Sequence, residues 1–346
     1  MAGRKQHFIQ RLLLKGFAHD PQREPSHVWV YRFDGNVFNS ALEGYGAERD
    51  FYGHPDESDL DARITDLESN RFNELLEGLR QGLDRTVSAV DAASLIVHVI
   101  ARSKNLRSTM TAGVRPLVTR CIRMLRSEDH LEKLLIAAMR ADPATLLEKL
   151  GKTGLRPDEC SVLAKRLAPL LPALAKEFIR QQSHVIDAFL STFQAKVAEL
   201  VAEGHRQTLH ARLTDFTGTR VTQLREINWR RKTLSADLIL GDSVVFVELE
   251  DGTFKPMTEP GDVVAHVWLP LSSRMVLVGS PTSHEPQIDS LRVNLGSASC
   301  SYDGFCAAAG PDAYRSLVPR IRTAVFKLND ADVERISNDA VARLIA

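Results

Sequence analysis

No stretch of this chain is apolar for long enough to cross a membrane. A span needs about 18–20 consecutive apolar residues, and the best candidate, residues 92–101, is broken by Ser94 and His98. Near the N-terminus only Leu12, Leu13 and Leu14 form an apolar run, too short for the core of a signal peptide. Cysteine is scarce. The four present, Cys121, Cys160, Cys300 and Cys306, include no CxxC pair, which excludes the usual redox and zinc-knuckle spacings. Reduced thiols in a soluble, cytoplasmic protein are the expectation. Net charge is also missing: 44 basic residues balance 44 acidic ones, so the total points to neither a nucleic-acid nor a membrane partner. There is no Walker loop, no GxGxxG after a strand, no GxSxG elbow and no HExxH helix, which removes the commonest nucleotide, dinucleotide, serine-hydrolase and zinc-protease readings.

What is present is an ordinary globular composition, 44% hydrophobic and 25% charged over 346 residues. A chain of this length buries a core without staples. The patterning predicts one compact α+β domain over residues 1–346, in three stretches. The first, 1–57, holds a β-hairpin: β-formers at 28–33, then Asp34-Gly35, then 36–38. Asp-Gly favours the positive φ angles that a tight hairpin turn requires. The second stretch, 58–211, is mainly helical. Ser58 with Asp61 reads as a capping box, Ser127 as a helix start, and Asp142-Pro143 as an N-cap followed by an N1 proline, with Gly151 a C-terminal stop. One helix face carries Leu131, Leu134, Leu135 and Ala138. Pro169 and Pro172 predict two helices or a kink, and residues 184–203 carry an apolar stripe through Phe189, Phe193 and Leu200.

After Thr217 the period shortens. Strands are predicted at 220–227, 236–240, 243–249, 263–269 and 275–278, giving a mostly antiparallel sheet. Two terminal helices are expected to flank it, at 311–327 and 330–344, the second capped by Asn329. Charge is uneven beneath its zero total. Residues 43–91 hold 13 acids and 5 bases, residues 102–180 hold 16 bases and 8 acids, and residues 205–232 hold 7 bases and 2 acids. These are either solvated helix faces that pair in the fold, or a basic face that binds polyanions weakly.

Chemistry-bearing candidates are few. His7 precedes an apolar segment and reads as either structural or functional. Glu48, Asp50 and Tyr52 share a face if their segment is extended. Two neighbouring carboxylates hold a metal or divide acid and base roles; the alternative is a turn whose acids cap a helix. Asp237 with Glu248-Leu249-Glu250 has the spacing of a metal-dependent nuclease core, but Glu250 stands where that core needs lysine. Asp242, Glu248 and Glu250 share a strand face if the strand is regular.

The N-terminal block Gln6-His7-Phe8-Ile9-Gln10-Arg11-Leu12-Leu13-Leu14-Lys15-Gly16-Phe17 resembles the opening motif of domain-of-unknown-function family 4238. Val28-Trp29-Val30-Tyr31 is similar to that family's Leu-Trp-Val-Tyr strand, and Glu48-Arg49-Asp50-Phe51-Tyr52 to its Glu-x-Asp-Phe-Tyr motif. The helix through Glu68 and the helix end near Arg107 resemble later family features, as do residues 240–245 and 268–272. The resemblance covers most of the chain in the same order and implies no established activity. Gln10 stands where the motif has Pro, Leu13 where it has Tyr, and Ser243-Val244 where it has Asn-Pro. Taken together, the family's scattered polar positions, His7, Glu48, Asp50, Glu68, Arg107 and Asp242, suggest a pocket.

The leading functional expectation is a metal-assisted hydrolase acting on a phosphate-containing or nucleic-acid substrate, an activity suited to defence or toxicity. His7 is its general base or metal ligand. Glu48, Asp50 and Asp242 hold a divalent metal with His7, and Arg107 stabilises phosphate charge. The alternative is a non-catalytic sensor or binding module whose polar residues form a structural network joining the hairpin to the later sheet.

Overall fold

The computed structural model describes residues 5–20, 22, 24–53, 59–81, 85–141, 156–212, 219–259, 261–281, 288–325 and 330–345. The chain is α+β and divides into two compact units. Residues 1–110 and 202–326 form the first, and residues 111–201 and 327–346 the second.

The first unit carries all twelve described strands: β1 (Lys5–His7), β2 (His27–Arg32), β3 (Val37–Ala41), β4 (Ala47–Arg49), β5 (Arg85–Val87), β6 (Asn228–Thr233), β7 (Leu240–Gly241), β8 (Phe246–Leu249), β9 (Phe254–Lys255), β10 (Val264–Ser272), β11 (Met275–Ser280) and β12 (Gly304–Ala307). They form a two-stranded β1-β4 ribbon, a six-stranded sheet in the order β5-β6-β11-β10-β8-β9, and a four-stranded sheet in the order β3-β2-β12-β7. Every pairing is antiparallel.

The expected hairpin is β2 with β3. Gly35 has φ 85°, and Asp34 Oδ1 accepts the Asn36 N–H at 3.0 Å. The hairpin does not stand alone: β2 pairs with β12, whose other edge pairs with β7. Because side chains alternate along a strand, β2 serves two cores. Val28 and Val30 join the large core with Phe17, Phe72, Trp229 and Trp268. Tyr31 joins a smaller one with Ile239, Phe305 and Ile321, stacked on Phe305 at 4.9 Å.

Several elements differ from expectation. Residues 219–225 are helical (Thr219–Arg225) rather than extended, and β6 lies beyond them. A short apolar run carries no period that separates the two forms; here Val221 turns inward and Leu224 O accepts the Trp229 Nε1–H at 2.8 Å. Of the strand expected at 236–240 only Leu240 pairs, with Gly241 after it in β7. The preceding backbone is held instead by the Ser290–Cys300 helix, which the sequence did not announce. Asn294 accepts the Ile239 N–H and donates to Asp237 O, both at 2.9 Å, and Ser297 Oγ accepts the Gly241 N–H at 2.9 Å. A helix that faces strands with small polar side chains has no apolar stripe to reveal it. β12, also unexpected, follows directly. The helix expected at 311–327 is a 3-10 segment, Arg315–Arg320, interrupted by Pro319. Pro270 lies inside β10 where pairing with β8 has ended and a bulge begins, so its missing N–H costs the ladder nothing.

Arg80 fastens three segments of the first unit. It is largely buried, and its guanidinium donates to Leu12 O, Leu13 O and Leu271 O at 2.6–2.9 Å. Burial lowers its pKa to about 10. Gly16 is required beside it, because a Cβ there would meet Arg80 Nη2 and Leu271 O at 2.5 Å.

The second unit is helical. Glu128–Ala141, Leu171–Ala195 and Asp330–Ile345 pack together, with Pro157–Leu167 and a 3-10 turn at Ala168–Leu170 before the long helix. The proline pair therefore divides two helices, as expected. The apolar stripe at 184–203 is only partly inward: Leu190, Val197 and Val201 are buried, whereas Phe189 is 68% exposed and Leu200 51%. Ser58, Asp142-Pro143, Gly151 and Asn329 lie outside the described residues, as do the side chains of Leu134, Leu135 and Ala138. Among the described residues, no helix is long and apolar enough to cross a membrane, and Cys121, Cys300 and Cys306 are free thiols.

Candidate functional site

The Ala89–Arg102 helix is apolar on nearly every side, and its buried polar residues, Ser94, His98 and Arg102, recur every fourth position. They therefore line one face. That face meets a π-helical segment, Glu68–Phe72, which follows the Leu60–Leu67 helix. Such π segments are rare and concentrate at functional sites. Ser94 accepts from Arg71 Nη2 at 3.1 Å, His98 Nε2 donates to Glu68 Oε1 at 3.1 Å, and Arg102 pairs with the same Glu68 carboxylate. Phe72 stacks on the His98 ring at 4.6 Å. Burial, then the neighbouring Arg71, drives the His98 pKa down to about 3, so the ring is neutral and its Nε2–H is a donor.

Arg102 continues the seam to the N-terminal motif. Its Nε donates to Tyr52 Oη at 3.0 Å, and its Nη2 to His7 O. Tyr52 Oη itself donates to His7 O at 2.8 Å, while the Tyr52 N–H reaches Gln6 Oε1 at 2.5 Å. β1 and the residues after β4 are thus fixed on the polar helix face.

A concavity of about 360 Å³ opens beside this seam. It is lined by Lys5, His7, Gln10, Arg11, Asp61, Glu68, Asn73 and Arg102, among others. Gln10 is only 4% exposed. Its Nε2 donates to Asn73 Oδ1 at 2.8 Å, but its Oε1 has no donor among the described residues. Burial lowers the His7 pKa, an effect partly opposed by the Leu42 carbonyl, which accepts from Nε2 at 3.4 Å.

Of the five site residues named from sequence, only His7 lines this pocket. Glu48 lies across the ribbon from Gln6 and is taken up by two cations, Arg107 at 2.5 Å and Lys104 at 3.3 Å. Arg107 lies 4.0 Å over the Phe51 ring, which orients it toward the protein instead of toward a phosphate. Asp50 adopts φ 51° in a turn closed by its own carbonyl and the Gly53 N–H, with a buried Oδ1 that meets no donor among the described residues. Asp242 is 3% exposed and caps a backbone loop, accepting the N–H groups of Tyr302, Asp303 and Gly304. Burial raises its pKa to about 6, against the lowering effect of those three donors. Lys104 also bonds Asp303 at 3.1 Å, so Glu48 and Asp242 belong to one network without facing one cavity.

The expected four-ligand metal set is not assembled. Among the described residues, no group of three or more His, Cys, Asp or Glu side chains is placed to hold a metal ion. The nuclease-like acids separate as well: Glu248 is buried against Arg292 and Trp268 Nε1, and Asp237 bonds Arg274 at 3.0 Å. Sequence reasoning named Glu68 but missed Arg102, His98 and Gln10. The available signal was the four-residue spacing of polar residues in an otherwise apolar helix. Of the basic run at 102–180, Lys104, Arg107, Arg120, Arg126, Arg156, Lys176 and Arg180 are engaged in ion pairs.

The fold and seam define an α+β protein with a small polar pocket in its N-terminal region. Residues 5–104, about 30% of the chain, match the family described as protein of unknown function (DUF4238). The similarity is thus narrower than the motif order suggested, since 240–245 and 268–272 lie beyond it. No curated protein and no solved structure matches the chain.

Proposed function

We propose that the N-terminal region is a binding module for a small polar ligand, acting in the cytoplasm, and that its motif residues hold the pocket's frame without performing chemistry. The observation that carries this reading is Gln10: the residue lines the pocket, and its Oε1, buried within the wall, has no donor among the described residues. An unmet buried acceptor costs about 1–3 kcal/mol, and rotation of the Gln10 amide toward the pocket lets a ligand N–H or O–H remove that cost. Lys5 in the lining favours a ligand that also carries an anionic group, whereas Arg11 is paired with Glu43. Metal-assisted hydrolysis of a phosphate compound or nucleic acid draws less support, because Glu48 and Arg107 neutralise each other and Asp242 is spent on backbone.

The test is calorimetric titration with a panel of amino acids and nucleoside monophosphates. At least one is expected to bind, and Gln10→Leu to weaken it at least tenfold, about 1.4 kcal/mol, in a variant that circular dichroism shows to be folded. No binding across the panel, or equal binding by Gln10→Leu, overturns the reading. Turnover of bis-p-nitrophenyl phosphate with Mg²⁺ or Mn²⁺ that disappears in His7→Ala would restore the hydrolase.

A further inference from the structure

The first unit holds a second, chemically opposite concavity. It measures about 640 Å³ and lies among the Ala89–Arg102 helix, the Thr219–Arg225 helix and the six-stranded sheet, lined by Ile96, Ile100, Leu224, Ile227, Val247 and Val267. Protein interiors leave few voids larger than a water molecule. An engineered cavity of about 150 Å³ already binds benzene, and this volume falls within the range of small-molecule sites. Without a ligand its apolar walls face water, so an apolar chain that enters it removes that surface from solvent.

The mouth of this cleft is built. At the end of β9, Lys255 Nζ bonds the Glu259 carboxylate and Asp262 Oδ1, the latter at 2.7 Å. The Glu259 N–H donates to Asp262 Oδ2 at 2.7 Å, and the Asp262 N–H to Glu259 O at 3.2 Å. Glu259, Asp262 and Gln223 line the opening. Two carboxylates there share one ammonium, and Asp251 adds to the negative field. An anionic head group is repelled at such an opening, whereas an amine or amide head is favoured.

We propose that this cleft binds an amphiphile with an apolar chain and a cationic or uncharged nitrogenous head, the chain against the isoleucine and valine walls and the head at Glu259 and Asp262. The site is independent of the polar pocket beside Gln10.

The experiment is titration of the full chain, isoleucine-methyl labelled, with dodecylamine and separately with dodecanoate, both below their micelle-forming concentrations and followed by NMR. Dodecylamine is expected to give saturable shifts at Ile96, Ile100 and Ile227 but not at Ile179 in the second unit, binding at least tenfold more tightly than dodecanoate. Glu259→Gln is expected to narrow that preference at least threefold. Ile100→Trp fills the cleft and is expected to weaken dodecylamine at least tenfold; Val264→Trp does the same from the strand side if Ile100→Trp does not fold. Absent or unsaturable shifts, equal affinity for the two probes, or undiminished binding by the folded tryptophan variant overturns the proposal.

Discussion

The first unit holds cations that are largely buried and whose partners are specific, beside others that pair on its surface. Arg80, Arg102 and Arg231 give their donors to backbone carbonyls, Glu68, Tyr52 and Met275, deep among aromatic and aliphatic side chains. In the second unit, ion pairs such as Arg180–Glu177 and Arg126–Asp187 lie along helix surfaces, and large apolar residues including Phe178 and Phe189 are at least half exposed. The two obey different energetics. A surface pair is screened by water and contributes little. A buried pair has lost its water and becomes costly to leave half-made. The first unit is therefore held by interactions that fail together, the second by many that fail singly.

The hardest break is removal of residues 1–41. That deletes β2, the interior strand that supplies both cores, and with it Leu13, Leu14, Phe17 and Tyr31, each fully buried. The shortened chain is expected to show no sharp urea transition for the first unit. A chain beginning at Leu42 that still unfolds sharply and with full stability would show that β2 is dispensable.

A single substitution sharpens the contrast. Arg102→Met leaves the Glu68 carboxylate buried without its cation and removes donors to Tyr52 and His7, so a loss of about 3–5 kcal/mol is expected. Arg126→Met in the second unit is expected to cost no more than about 1 kcal/mol. Equal losses in urea denaturation would erase the distinction.

The smallest expected effect is on pH dependence. Burial holds His98 at about 3 and His205 at about 4, below the ordinary 6.5. The unfolded chain takes up these protons first, so their stabilising contribution is present above pH 6.5 and is lost as pH falls. Each histidine removes about 1.4 kcal/mol per pH unit. Asp242, raised from 3.8 to about 6, has the opposite sign and offsets one of them between pH 6 and 4. His98→Gln is expected to flatten the slope of stability against pH in that window by about 1.4 kcal/mol per unit. A variant with the wild-type slope would place the acid sensitivity elsewhere.

Legibility tracked the range of the interaction. The Asp34-Gly35 turn was readable because its φ requirement is met by adjacent residues. The proline pair divided its helices for the same local reason. The Thr219–Arg225 helix read as a strand because seven residues carry too little period to decide. The Ser290–Cys300 helix went unseen because its buried face is made of Asn294 and Ser297, chosen for the backbone they bond. The site was half legible: His7 and Glu68 stood out as motif residues, while Arg102 and Gln10 acquire meaning only from what faces them.

The sequence alone determined what depends on neighbours along the chain: the class of fold, the hairpin and its turn, the balance of charge, and the scarcity of cysteine. Tertiary structure decided where the charges go. Whether Glu48 holds a metal or pairs with Arg107, and whether Asp242 faces a cavity or caps a loop, depends on desolvation and on partners tens of residues away. Those terms are set by burial, which no local pattern of residues specifies.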